Sequence, residues 1–128
     1  MYRQIIGLLK KNDFCKSSKI QIKNINSNYP LIILYSENCF IEILIEEIEK
    51  YASIKMHYLG VAYCALTSPC SAFESDFLTS KNKTTLNYDE RIRQYRSASK
   101  KNKEIIISQL IIEIIKLFYE NAKIQFKG

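Results

Sequence analysis

A row of cations has the clearest spacing for a chemical role in this sequence. Arg93, Arg96, Lys100 and Lys103 lie three, four and three residues apart, with Arg91 and Lys101 beside the row. On one helix this spacing keeps the four side chains within about 80° of one face. Such a basic ridge can follow nucleic-acid phosphates or contact an acidic protein. The sequence therefore predicts a binding surface on a helix over residues 88–103.

Two tyrosines lie beside this basic ridge. Tyr88 and Tyr95 are seven residues apart, so they share a helix face. Aromatic side chains can stack on bases or fill the pockets of a partner protein, although filling the protein's own core or grooves is the plainer interpretation. The predicted binding set is Tyr88, Arg91, Arg93, Tyr95, Arg96, Lys100, Lys101 and Lys103.

Surface pairing and solvation compete with a binding role for these cations. Glu90 and Asp89 precede Arg93 by three and four residues, which is the spacing of ion pairs on a helix surface. The formal net charge of +6 comes mainly from lysines, since only four of the 19 basic residues are arginines, and scattered lysines usually serve solvation. Ser97-Ala98-Ser99 can also end the helix before Lys100.

Enzymatic chemistry has little support in the sequence. His57 is the only histidine, and Cys64 follows it by seven residues. On one helix the two would be about 10.5 Å apart along the axis, which is too far for a thiol–imidazole pair. We expect His57 on a helix surface or interface. Since the acidic residues also lack metal-binding spacing, we expect a non-enzymatic protein with no cofactor and no metal site.

The cysteines and the apolar segments bear on the compartment. Cys15, Cys39, Cys64 and Cys70 form no C-x-x-C pair, and charged residues interrupt the first 20 positions, where a secretory signal would lie. We expect reduced, mostly buried thiols in the cytoplasm or another reducing intracellular compartment. The most apolar segment, residues 105–118, contains four polar residues, so we expect no membrane span.

Helices are the main elements predicted to position these residues. An amphipathic helix is expected over residues 2–11. The apolar period from Phe40 to Leu66 predicts a long amphipathic helix with a kink or break at Gly60. Its acidic side matches the basic ridge in spacing and is opposite in sign, so the two could pair within one molecule or between copies. That acidic side consists of Glu42, Glu46 and Glu49.

Turn and cap signals divide the rest of the chain. Alternation in residues 19–25 and an apolar run up to residue 35 predict a β-hairpin, unless Pro30 begins a helix. Ser68-Pro69 and the capping-box spacing Ser71-x-x-Glu74 predict a short helix up to residue 78. The polar residues 79–85 predict a mobile loop. Asn87 then caps the basic helix, which has two acidic residues in its first turn.

The last helix, about residues 103–123, is apolar around roughly 240° of its circumference. Its polar residues gather on the remaining side, and a helix of this kind is covered on most sides. The cover is either its own domain or another chain. The polar side consists of Gln109, Glu113, Lys116, Glu120 and Lys123.

These patterns predict one domain over residues 1–128 that is mainly α. We expect an irregular bundle of four to six helices around a central C-terminal helix, with a small β-hairpin at residues 19–35; the alternative is an α+β fold. The predicted function is non-catalytic protein–protein interaction, by a small subunit of a larger assembly or an inhibitor- or immunity-type binder of one partner. Self-association is a further option. The alternative function is a nucleic-acid-binding module that uses the basic helix over residues 88–103.

Overall fold

A computed structural model describes residues 2–11, 19–23, 31–36, 39–47, 51–58, 61–66 and 71–126. In these ranges the chain forms four helices and six strands. They fall into two compact units. The strands form the sheet unit, which lies within residues 17–79. The helices form the helical unit, which lies within residues 3–16 and 80–128.

The sheet unit is one mixed sheet with its strands in chain order. Neighbouring strands are antiparallel, except that the last two are parallel. The hairpin predicted within residues 19–35 is confirmed by the first two strands, although it belongs to a larger sheet. The strands are β1 (Lys19–Lys23), β2 (Leu31–Ser36), β3 (Cys39–Glu47), β4 (Tyr51–Tyr58), β5 (Val61–Ala65) and β6 (Ser75–Asp76).

The helix predicted from Phe40 to Leu66 is wrong, because β3, β4 and β5 occupy this segment. Its many β-branched and aromatic residues favour strands. Both faces of the sheet carry apolar side chains here, so the alternation of period two is masked and a helical period fits by coincidence. Glu42 and Glu46 therefore lie on a strand, and Glu49 lies outside the described residues. Glu42 and Glu46 therefore do not form the acidic helix face that was expected to pair with the basic ridge.

One face of the sheet forms the core of its unit. Six apolar residues on this face are at most 1% exposed. They are direct neighbours across β2, β3 and β4, so apolar side chains contact one another from strand to strand. The opposite face, which we call the open face, carries Tyr35, Phe40, Glu42, Lys55 and His57. The buried residues are Ile32, Leu34, Ile41, Ile43, Ile54 and Met56.

The helical unit contains α1 (Tyr2–Lys11), α2 (Ser80–Leu86), α3 (Tyr88–Ser97) and α4 (Lys100–Phe126). The predictions of α1 and α4 are confirmed. α3 confirms only the first part of the helix predicted over residues 88–103, and the loop expected over residues 79–85 is wrong. In α2 the Thr84 and Thr85 hydroxyls donate to carbonyls four residues earlier, and Leu86 is 5% exposed. This polar segment thus forms a helix that buries one apolar side chain, and its two threonine hydroxyls bond back to the preceding turn.

Asn87 occupies the expected position before α3 but caps it differently. Its backbone is left-handed, with φ 52° and ψ 43°, and its side chain makes no capping hydrogen bond. Asparagine tolerates this conformation better than most residues. Asn87 therefore forms the corner between α2 and α3.

The short helix expected up to residue 78 is wrong in the part that the structure describes, from residue 71 onward. Residues 71–74 form a turn, closed by a 3.1 Å bond from Glu74 N–H to the Ser71 carbonyl. β6 follows this turn. Ser68-Pro69 lies outside the described residues. The Ser71-x-x-Glu74 spacing did identify a real contact, but that contact closes a turn and does not cap a helix.

α4 carries most of the buried side chains described in the helical unit. Seven of its apolar residues are at most 6% exposed, while Gln109, Lys116 and Glu120 are exposed. The broad apolar girdle predicted for this helix is therefore covered. The buried set is Ile107, Leu110, Ile111, Ile112, Ile114, Ile115 and Phe118.

The described chain is thus closer to an α+β protein than to the mainly α bundle that we predicted. The prediction of an alpha-helical protein is wrong. A six-stranded sheet accompanies the four helices. None of the described helices is long and apolar enough to cross a membrane. The one-domain organisation of residues 1–128 stays a prediction.

Candidate functional site

The basic ridge is divided between two helices. Ala98 is extended, with φ −80° and ψ 158°, so α3 ends at the interruption expected from Ser97-Ala98-Ser99. The predicted binding residues therefore do not lie on one continuous helix. Tyr88, Arg91, Arg93, Tyr95 and Arg96 belong to α3, whereas Lys100, Lys101 and Lys103 belong to the start of α4.

Two of the three arginines on α3 are paired within the molecule. Arg91 forms an ion pair with Glu113 of α4. Arg93 pairs with Glu90, as the three-residue spacing predicted. The hydrogen bond from Arg93, assisted by its charge, lowers the pKa of Glu90, and the same bond raises the pKa of Arg93. Both pairs neutralise cations that phosphate binding would use.

Lysine side chains lie over both candidate tyrosine rings. Lys83 Nζ is 5.4 Å from the centroid of the Tyr88 ring, and Lys103 Nζ is 5.5 Å from that of Tyr95. These distances are typical of cation–π contacts. At least one face of each ring is therefore occupied by a neighbouring lysine, which leaves less room for stacked bases.

The junction of α3 and α4 keeps its positive charge. Arg96, Lys100 and Lys101 are all exposed. The first turn of α4 contains no acidic residue, so the positive end of the helix dipole adds to the lysine charges. This junction is the part of the basic ridge best placed to meet an anionic partner.

An aromatic row crosses the open face of the sheet. Tyr35, Phe40 and His57 are direct neighbours on β2, β3 and β4. The Phe40 and His57 rings are stacked, with centroids 4.1 Å apart, and Tyr35 stacks on Phe40 at 6.3 Å. His57 Nε2 is also 3.2 Å from Glu42 Oε1. The imidazole predicted on a helix surface is instead fixed on a strand by a ring and a carboxylate.

Cys64 does not form a catalytic pair with His57. The two lie on adjacent strands, where Cys64 is opposite Lys55 and His57 is opposite Ala62. Cys64 is fully buried and disulfide-bonded, and the side chain of its partner cysteine lies outside the described residues. The expectation of reduced thiols is therefore wrong for Cys64. Among the described residues, no group of three or more potential ligands could hold a metal ion.

The most exposed large apolar side chain in the described part of the chain is Phe73. It is 93% exposed and lies in the turn formed by residues 71–74, which we call the Phe73 turn. A phenylalanine in water exposes apolar surface that would be removed from solvent on binding. Phe73 therefore stands out as a contact residue.

Hydrogen bonds and an ion pair fix the two ends of the Phe73 turn. Besides the backbone bond, Ser71 Oγ donates to Glu74 Oε1 over 2.7 Å. Lys55 Nζ on β4 lies 3.5 Å from the same oxygen, and the Glu74 side chain is only 11% exposed. The hydrogen bond from Ser71, together with the positive charge of Lys55, lowers the pKa of Glu74 against the opposing effect of desolvation.

The segment after the turn is also tied to the sheet. Phe77 N–H donates to the Cys64 carbonyl over 2.9 Å, and the Asp76 carboxylate accepts a 2.9 Å bond from Leu78 N–H. Phe77 and Leu78 are 5% and 7% exposed. The Phe73 turn is therefore held by Glu74 and by the segment that follows it, while the Phe73 side chain itself remains in solvent.

Comparisons with protein-family models, curated proteins and solved structures found no match. The candidate site is consequently defined by geometry alone.

Sequence reasoning did not identify Phe73, because it placed this residue inside a helix. The only available signal was the Ser71-x-x-Glu74 spacing, which fits a closed four-residue turn as well as a helix start. Nothing in the apolar pattern distinguishes Phe73 from the buried Phe77.

Proposed function

We propose that this protein is a non-catalytic protein-binding module, and that Phe73 is the side chain that anchors its partner. The proposal rests on the exposure of Phe73 in a turn whose first and last residues are joined by hydrogen bonds. Aromatic residues are enriched among the few side chains that dominate binding energy at protein interfaces. An anchor already held in position also loses less conformational entropy on binding.

The expected partner is a protein with an apolar pocket for one aromatic ring. Burying a phenylalanine side chain contributes about 1.5–3 kcal/mol, or roughly 10- to 150-fold in affinity. Arg91 and Arg93 each form an ion pair with a glutamate of the same chain. These pairs leave two fewer cations of the basic ridge for phosphates, which supports protein binding over nucleic-acid binding. This module would act as a small subunit of an assembly or as an inhibitor- or immunity-type binder.

Affinity capture from the native source with Phe73→Ala as bait tests this function. Phe73 is exposed, so the substitution should leave folding intact while the recovered partner falls at least tenfold. Ala72→Ser is the matched control, because Ala72 is an exposed neighbour in the same turn and this variant should recover the wild-type amount. Equal recovery by Phe73→Ala and wild type would exclude Phe73 as the anchor.

Nucleic-acid binding is the second candidate function. It is supported by Arg96, Lys100 and Lys101, which are exposed together at the α3–α4 junction. This smaller surface replaces the ridge over residues 88–103 as the place where phosphates would bind.

A further inference from the structure

Cys64 forms a disulfide whose partner can be inferred from the sheet register and the length of the chain. Its side chain is on the open face, because Cys64 lies on β5 directly opposite Lys55. It is nevertheless fully buried and disulfide-bonded. The Cα atoms of two bonded cysteines lie about 4.4–6.8 Å apart. The candidates for the partner are Cys15, Cys39 and Cys70.

The sheet register excludes Cys39. Cys64 is opposite Lys55, which is opposite Glu42 on β3. Cys39 lies three residues before Glu42 on the same strand. With about 4.8 Å between strands and about 3.4 Å per residue, the Cα atoms of Cys39 and Cys64 are about 14 Å apart. This separation is twice what a disulfide spans.

Cys15 is at the limit of the reach of the chain. It precedes Lys19, the first residue of β1, by four residues, and four extended residues span at most about 14 Å. Lys19 begins the cross-strand row that ends at Ala62 on β5. Four strand spacings and two residues then place Lys19 about 20 Å from Cys64. A bond to Cys15 would need residues 15–19 to be fully extended straight towards Cys64.

Cys70 is the candidate within easy reach. It follows Cys64 by six residues, so the chain between them needs no special path. Cys70 lies outside the described residues, but its neighbour Ser71 is described. Ser71 Oγ and Lys55 Nζ both contact Glu74 Oε1, and Lys55 is the residue opposite Cys64. At residue 71 the chain is therefore on the side of the sheet that carries the Cys64 side chain.

We infer that Cys64 is bonded to Cys70, and that this disulfide fixes the start of the Phe73 turn to β5. The segment after the turn is held at the same residue, since Phe77 N–H donates to the Cys64 carbonyl. The bond would thus attach the chain to Cys64 on both sides of the turn. The pairing does not depend on the proposed function, because it holds whether or not Phe73 contacts a partner.

Forming this bond is a two-electron oxidation. Each thiol loses one proton and one electron, and the two sulfur atoms join. A small disulfide such as glutathione disulfide accepts both electrons and both protons and is released as two thiols. A dithiol reductant reverses the exchange and becomes a disulfide itself.

Peptide mapping of the full chain tests the pairing directly. Free thiols are blocked with iodoacetamide under denaturing conditions, and the chain is digested with trypsin without a reductant. Trypsin cuts after Lys55 and Lys81 and nowhere between them, so Cys64 and Cys70 stay on one peptide. Mass spectrometry should show this peptide without a blocking group and two hydrogen atoms lighter than its reduced form. A peptide that carries a blocking group, or is joined to a segment with another cysteine, would overturn the inference.

Two serine variants test the pairing through stability. Cys70→Ser should lower the midpoint temperature of unfolding by several degrees, and a dithiol reductant should then lower it no further. Cys15→Ser is the matched control and should keep the wild-type midpoint and the wild-type response to the reductant. If only Cys15→Ser removes that response, Cys15 is the partner and the inference is wrong. Peptide mapping decides the pairing even if Cys70→Ser does not fold.

Hydrogen exchange tests whether the bond fixes the turn. Glu74 N–H closes the turn on the Ser71 carbonyl, so it should exchange about tenfold faster in Cys70→Ser than in Cys15→Ser. Leu78 N–H lies beyond the turn and should change less. Reduced wild type gives the same comparison if Cys70→Ser does not fold. Equal exchange of Glu74 N–H with and without the bond would show that the disulfide does not hold the turn.

Discussion

Glu74 is the residue on which the geometry of the Phe73 turn most depends. Its carboxylate receives the Ser71 hydroxyl and lies beside the Lys55 ammonium group. These contacts lower its pKa in the folded protein below the usual 4.5. Its contribution to stability is therefore fully present above that usual value and is lost as the pH falls through the lower, folded-state pKa. The Phe73 turn should loosen in acid.

Removing the Ser71 hydroxyl tests this assignment. Ser71→Ala should raise the pKa of Glu74 toward its ordinary value, since the Ser71 bond is the largest cause of the shift. A carbon-detected NMR titration of the Glu74 carboxyl group measures the change. Urea unfolding at neutral pH should show a loss of less than about 1 kcal/mol, because Ser71 is exposed. That loss should shrink once Glu74 is protonated.

Ser75→Ala is a suitable control for the Ser71 substitution. Ser75 is a nearby exposed serine on β6, and its replacement should leave the titration of Glu74 unchanged. If Glu74 titrates identically in wild type and Ser71→Ala, the hydroxyl does not hold the carboxylate and the turn must be fixed by other contacts.

At the scale of elements, the α3–α4 junction tests the second candidate function. Arg96, Lys100 and Lys101 are exposed there, whereas Arg93 is already paired with Glu90. Binding to nucleic acid weakens with salt, and the slope of log affinity against log salt concentration (the salt slope) reflects the number of phosphate contacts. If the protein binds nucleic acid, replacing all three junction cations with glutamate should reduce the size of this slope by about three units, because each lost phosphate contact contributes about 0.9. Fluorescence anisotropy with a labelled oligonucleotide across a salt series measures this slope.

Arg93→Glu is the comparison for the triple variant. Because Arg93 is already paired with Glu90, replacing Arg93 should change the salt slope less than replacing one junction cation does. A wild-type chain that shows no salt-dependent binding to single- or double-stranded oligonucleotides would remove the second candidate function.

The elements with a clear helical or alternating period were predictable from the sequence, and the strands with apolar residues on both faces were not. α1 and the long α4 have helical periods that the structure confirms. On β2 and β3, Ile33 is buried on the open face and Phe40 is only 36% exposed, so apolar residues occupy both faces and the alternation of a strand is hidden. The β1–β2 hairpin was recognisable because Lys19–Lys23 alternates cleanly.

The candidate site was less predictable than the fold, since exposure depends on which residues the fold covers. The Glu90–Arg93 and Ser71–Glu74 contacts follow from local spacing and were visible in the sequence. The Arg91–Glu113 pair joins two helices, and nothing in the local spacing indicates it. Phe73 and Phe77 are both apolar residues of the same short segment, yet one is 93% and the other 5% exposed.

At the scale of the whole molecule, the one-domain prediction implies that the chain unfolds in a single cooperative transition. A chain of 128 residues should then absorb about 90 kcal/mol near 60 °C, from roughly 0.7 kcal/mol per residue. Strand and helix signals should be lost together, and the calorimetric and van't Hoff enthalpies should agree. Calorimetry combined with circular dichroism measures both properties.

One core substitution in each unit makes this test sharper. Ile43 in the sheet and Ile111 in α4 are both fully buried, and replacing either with valine should cost about 0.5–1.5 kcal/mol. In one cooperative domain, each variant lowers the midpoint temperature of the single unfolding transition by a few degrees, because strands and helices unfold together. If Ile43→Val shifts only the loss of strand signal and Ile111→Val only the loss of helix signal, the two units unfold independently and the one-domain prediction is wrong.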